Sequence, residues 1–288
     1  ATTLFNSGAN VGALVAPATI PFIAAAWGWQ SAFIAAGVLG FIWVIFWLRM
    51  PKNPRVKLAE ESAALAQAEK EEVRASIPWR KLLAYRQSWS LILVRFLTDP
   101  IWWFFLFWLP DFFSKHFGYN IKESALPLIV IYALVTVLSI LGGTLTKFLA
   151  NRGWSLNKVR KISMLVFACC VVPVVFVQYF DMWTIVAVLG LAGGAHQAWS
   201  ASVYTLGSDM FPKSDVASIT GLSGMAGQIG SVLFQTAVGF TLSWFAAQGN
   251  ASHGYDIIFM VCGSAYLAAF VIFSLIIPNI NMVAPRER

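Results

Sequence analysis

The chain has 288 residues, of which 58 % are hydrophobic, 15 % aromatic and 11 % charged, with a formal net charge of +7. Soluble domains carry roughly 25 % charged residues, so the composition argues against a soluble enzyme, a disordered regulator and a nucleic-acid module. Cys169, Cys170 and Cys262 all sit in apolar runs without disulfide or metal-ligand spacing, and read as small buried hydrophobes.

A membrane-crossing helix needs roughly 20 mostly apolar residues to cover ~30 Å of hydrocarbon. The chain offers Leu4–Trp27, Trp29–Met50, Ser88–Phe113, Ala125–Leu149, Ile162–Phe180, Trp183–Asp209, Ile219–Phe245 and Tyr255–Pro278. The runs are long and do not alternate, and backbone groups in lipid must be satisfied within their own segment, so helices are expected. The apolar run is already under way at Leu4, after a first residue, Ala1, that is not methionine, and there is no basic region and cleavage site of a signal peptide. The expectation is that an N-terminal portion precedes this sequence.

The first predicted span carries Asn6 and Asn10, four apart on one face beside Gly8 and Gly12. Two amides so placed in an apolar helix need partners, on neighbouring helices or in a wet cavity. After the second span comes the longest polar stretch, Pro51–Gln87, whose Ala/Glu-rich centre favours a helical or partly disordered surface linker.

The third span contains Arg95 and Asp99, again four apart and able to pair on one face. By helix rise Asp99 lies about 17 Å deep. Pro100 follows and removes a backbone hydrogen bond, favouring a kink. Ionisable groups at this depth are costly and point to function. They either line a pathway and couple an ion, or Asp99 merely neutralises an arginine that reaches for the interface. Trp102, Trp103, Phe104, Phe105, Phe107 and Trp108 come next. Most of the six are expected to face lipid, with one or two, Trp103 foremost, offering a ring face and an N–H to a cavity.

The sixth span holds the most polar mid-span stretch, with His196, Gln197, Ser200 and Tyr204 at helical spacings. These can donate to an anion, although a histidine satisfied by a neighbouring helix is the commoner arrangement. In the seventh span Gly221, Gly224, Gly227 and Gly230 make a smooth face for close helix approach, and Gln228 is a polar contact candidate.

Basic residues set the expected orientation. Nine lie from Arg49 to Arg86 and five from Lys147 to Lys161, and Lys213, Arg286 and Arg288 fall on the same side if every span crosses. Only Lys115 and Lys122 lie opposite. The basic side is expected to be cytoplasmic, with both ends of the chain on it, so the positive charge is topology signal and no nucleic-acid partner is expected. No phosphate-binding glycine loop, metal cluster or Ser–His–Asp spacing stands out, so neither a catalytic site, a metal nor a cofactor is expected.

Several stretches together resemble the anion:cation symporter branch of the major facilitator superfamily, and within it the hexuronate transporters. Leu4–Ala13 closed by Ala16-Pro17 is similar to that family's fifth helix, and Trp27–Phe33 to the turn into its sixth. Thr98–Pro110 resembles its seventh, Ala195–Ser200 through Ser208–Pro212 its tenth, and Gly224–Gly227 its eleventh. The resemblance implies an all-α bundle with helices five to twelve of twelve present. Residues 1–50 would close the N-terminal bundle, 51–87 form the cytoplasmic loop, 88–280 the C-terminal six-helix bundle and 281–288 a cytoplasmic tail. It implies symport of a sugar-acid anion with protons, or else sodium, in a lipid bilayer of bacterial inner-membrane type; transport of another small organic anion (an aldonate or aromatic acid) and solute binding without transport are the alternatives. Four preceding helices would be required for a complete transporter and would supply an arginine and acidic residues. The substrate-binding candidates in this chain are Asn6, Asn10, Trp103, His196, Gln197, Tyr204 and Gln228, with Arg95 and Asp99 as coupling or structural charges. One departure stands out. Gly142–Lys147 leading to Arg160-Lys161 resembles the loop between helices eight and nine, but Lys147 stands where the family usually has aspartate.

Overall fold

The computed structural model describes residues 12, 15, 16, 19–49, 77–120 and 122–283, and every described element is helical. Asn6, Asn10 and most of the predicted linker lie outside these residues. Helix α1 runs through 19–27 and gives way at Gly28, whose φ of 81° is a conformation that side chains with a Cβ resist. Then follow α2 (Trp29–Arg49), a one-turn helix Trp79–Leu82, α3 (Arg86–Phe117), α4 (Ala125–Asn151), α5 (Leu156–Val171), α6 (Met182–Met210), α7 (Lys213–Ala247) and α8 (Ala251–Ile276).

Six of the described helices or helix runs are long and apolar enough to cross a membrane. The 29-residue α6 falls outside that set. The reason is chemical: its middle carries His196 and Gln197, and the helix is the most interior of the bundle, with sixteen buried residues that include Leu189, Trp199 and Leu206. Helices also run past the predicted spans. α5 starts at Leu156, and its first turns carry Lys158, Arg160 and Lys161 at the interface end. It then tightens into a 3-10 turn at Val172–Tyr179. Pro173 has no N–H for the Cys169 carbonyl, and the Val172 N–H takes that carbonyl instead in a bond one residue shorter.

α3 lies along α7, α4 along α6, and α8 across α3 and the 3-10 segment. Glycine sets the α4–α6 distance. A Cβ on Gly190, Gly193 or Gly194 would overlap Leu134, Val135 or Leu138, and one on Gly142 would overlap Ala198. Without a hydrophobic drive between helices in lipid, such close van der Waals contact is what holds them. The outward surface is apolar: Phe240 is 74 % and Leu275 75 % exposed. α2 buries only Ala32, so its Trp and Phe rings stand outward.

The last residues of the predicted linker are docked on the bundle. Leu82 is fully buried, and the Ile77 N–H donates to the Asp215 carboxylate at 2.7 Å, at the start of α7.

Candidate functional site

A cavity of about 190 Å3 opens between α3, α6 and α7. Helix α3 contributes Arg95, Asp99, Trp102 and Trp103 to its wall. Helix α6 adds His196, Gln197, Ser200 and Tyr204, and α7 adds Gln228. Eight residues singled out from sequence, Ser200 among them, thus meet in one place. Trp102, read from sequence only as one of six aromatics, joins them.

An ion pair lies on the cavity wall. Arg95 Nε donates to Asp99 Oδ2 at 2.9 Å, and both side chains are nearly buried, at 11 % and 12 % exposure. Arg95 Nη2 donates to the Tyr204 hydroxyl at 3.1 Å, and its guanidinium carbon lies 4.7 Å from the Tyr204 ring centroid. These bonds use two of the five N–H donors an arginine carries. Tyr204 both orients the guanidinium and shields one face of it.

The glycine face of α7 makes room for this pair. A Cβ on Gly227 would overlap the Asp99 carboxylate, one on Gly224 would sit 3.4 Å from Arg95 Nη1, and one on Gly230 would overlap the Phe96 carbonyl. That carbonyl is the one Pro100 leaves without its helical donor. Gly221 has open space beside it. Sequence reading assigned these glycines to packing in general; three of them accommodate the charged segment of α3. Replacing Gly227 with Ala is therefore expected to push Asp99 out of line with Arg95 and to cost about 1–3 kcal/mol by overpacking. Thermal melting of the purified protein in detergent checks this, and Gly221→Ala should melt like the parent.

His196 is buried and has a partner. Its Nδ1 is hydrogen-bonded to the Tyr266 hydroxyl of α8, and its ring stacks on Trp102 at 5.3 Å with 3° between planes. Tyr266 in turn donates to the Thr98 carbonyl at 3.3 Å. Tyr266 was not legible as a site residue; a tyrosine hydroxyl in the middle of a largely apolar span, two residues after Ser264, was its one signal.

The aromatic run of α3 departs from expectation. Phe104 and Phe105 are buried in the core, and Trp102 and Trp103 face the cavity. Trp108 is partly buried, and its Nε1 donates to Gln235 Oε1 at 2.7 Å. Phe107, stacked on Trp103 at 5.5 Å, is the one largely exposed ring of the six. α3 is gripped by both α7 and α8, so a helix rich in large rings fills the interior instead of facing lipid.

At the end of the bundle carrying most of the basic residues, Arg160 Nε of α5 pairs with Asp209 Oδ2 of α6 at 2.8 Å. Lys161 Nζ donates to the Pro278 carbonyl at 2.8 Å. Lys147 takes no part in these contacts.

Comparison with known proteins fits this architecture. The model of the Major Facilitator Superfamily matches residues 1–235. The chain is 33 % identical over 245 residues to a hexuronate transporter of Escherichia coli K12, covering 82 % of this chain and 56 % of the relative. It is 35 % identical over 130 residues to a galacturonate transporter of Dickeya chrysanthemi, covering 42 % of this chain and 37 % of that one. It is 28 % identical over 281 residues to the chloroplastic sodium-dependent phosphate transport protein 1 of Arabidopsis thaliana, covering 94 % and 53 %. The chain spans about half the length of these longer-matched relatives. An all-α bundle of apolar helices around a charged, polar cavity, matched by the superfamily model over most of its length, makes this chain a multi-pass membrane protein that belongs to the Major Facilitator Superfamily.

Proposed function

We propose that this chain is the substrate-holding part of a proton-coupled symporter that carries a sugar-acid anion, a hexuronate in the first instance, by alternating access across a bacterial inner membrane. The observation that carries this reading is the Arg95–Asp99 pair on the cavity wall, surrounded by hydroxyl, amide and indole groups. Arginine is suited to a carboxylate, Gln197, Gln228, Ser200 and the His196 Nε2 to sugar hydroxyls, and the Trp103 face to the apolar side of a pyranose ring. The names of two relatives, a hexuronate and a galacturonate transporter, support the choice of anion.

The coupling follows from competition for one cation. While Asp99 is ionised it occupies Arg95. A proton on Asp99 removes that competitor, and the substrate carboxylate takes its place. Proton and anion therefore favour each other's binding, and linkage makes the effect reciprocal. Release of either on the far side weakens the hold on the other, which is what two rocking helix bundles need to move both together. Asn6 and Asn10 are proposed to reach the same solute from the first span. The distribution of basic residues supports placing both ends of the chain in the cytoplasm.

The test uses the full-length gene product in liposomes. An imposed inward proton gradient is expected to drive accumulation of glucuronate or galacturonate. Accumulation that follows a sodium gradient instead assigns the coupling to sodium. Failure of both gradients to accumulate any hexuronate or aldonate overturns the reading, and saturable binding without flux would make the protein a solute-binding membrane protein.

A further inference from the structure

A second cavity, of about 420 Å3, lies between the end of α4 and the start of α5 and shares no wall residue with the central one. Lys147 and Arg160 bring two cations to it, and Thr146 and Trp154 add a hydroxyl and an indole. The surrounding segment from Lys147 to Lys161 contains five basic residues and no acidic one. Three of the five have work elsewhere. Arg160 is held by Asp209, the carboxylate facing this region from α6. Arg152 lies over the Phe148 ring at 4.3 Å, and Lys161 is bonded to the Pro278 carbonyl. Lys147 is exposed, with neither ion pair nor hydrogen bond among the described residues.

The rim of this cavity is apolar. Leu156 is 46 % and Trp154 39 % exposed, Val159 lies beside them, and exposed Ile162, Leu165 and Val166 follow further along α5. A tryptophan between a basic cluster and an apolar helix face is the pattern of the headgroup level of a bilayer. The first turn of α5 also points unbonded N–H groups outward, because Ser155 provides no side-chain cap. The pocket thus offers positive charge and donors above, and hydrocarbon contact below.

We propose that this cavity binds the phosphate group of an anionic phospholipid, with Lys147 as its main ion-pair partner, Arg160 as a second donor, and the acyl chains lying along α5. Free phosphate would satisfy the same cations but has no use for the apolar rim, and basic pockets between spans on the cytoplasmic side are suited to acidic headgroups. This site stands independently of the transported solute. An anionic lipid here would brace the α4–α5 turn against α6 through Arg160 and Asp209.

The full-length protein, purified in a neutral detergent, is titrated separately with dioctanoyl phosphatidylglycerol, dioctanoyl phosphatidylcholine and inorganic phosphate. Lipid adducts are read by native mass spectrometry and stability by thermal melting. Phosphatidylglycerol is expected to bind saturably and raise the melting temperature, above any effect of phosphatidylcholine. Lys147→Gln should weaken that binding about fivefold, as removal of one lysine near an anionic headgroup implies. Ala150→Trp, which fills the cavity from an exposed position while leaving every charge in place, should abolish it. Lys122→Gln, at the opposite end of the bundle, should change nothing. Equal binding of both lipids, an undiminished affinity in Lys147→Gln or Ala150→Trp, or a melting shift reproduced by phosphate alone would each overturn the proposal.

Discussion

Substituting Asn for Asp99 is expected to abolish proton-driven accumulation while leaving exchange of substrate across the membrane intact. Asn keeps the size of the side chain but neither binds nor releases a proton. Arg95 then loses its ionic competitor at every pH, and the anion binds without a linked proton. On the proposed mechanism, a one-to-one symport in the parent protein would sustain about tenfold accumulation per pH unit of gradient, the equivalent of one unit of proton chemical potential. In Asp99→Asn that ratio should fall to about one, as for a passive carrier, and uptake should lose its dependence on external pH. Counterflow and gradient-driven uptake, measured side by side in liposomes, separate the two. A variant that still concentrates hexuronate like the parent would show that Asp99 is a structural charge only.

Arg95→Ala should be the more damaging single change. It leaves the Asp99 carboxylate, 12 % exposed, without its cation on the glycine face of α7. Breaking a buried pair by removing one partner costs about 3–5 kcal/mol, whereas neutralising both can be nearly harmless. The double variant Arg95→Ala/Asp99→Asn should therefore recover most of the lost melting temperature but bind no hexuronate. Recovery of stability without binding separates the two roles of the arginine. A single Arg95→Ala variant that melts like the parent would mean that something else neutralises Asp99.

Local regularities in the sequence went far here. Residues 95 and 99, and 196, 200 and 204, repeat at one helical turn, so their sharing of a face followed from 3.6-residue geometry alone. The helical, membrane-spanning character followed from run length and the scarcity of charge. What faces that side of a helix did not follow. The six aromatics of α3 were legible as large rings, but two fill the core and two line the cavity because α7 and α8 cover them. Pairings such as Trp108 with Gln235 join residues 127 positions apart, beyond anything periodicity reports.

The glycines of α7 show the division most clearly. Their spacing of three was plain in the sequence and announced a smooth helix face. Only the tertiary structure set that face against Arg95, Asp99 and the carbonyl freed by Pro100, turning a packing motif into a seat for a charged pair. His196 is the counterpart: its chemistry was evident from its identity, while its partner is a tyrosine 70 residues away on another helix. The sequence by itself determined that the chain folds as apolar helices in a bilayer, because hydrophobicity and backbone hydrogen bonding act locally along each segment. Which buried polar groups meet, and so what the interior can hold, was decided by helix packing, because that depends on the shapes of several distant segments at once.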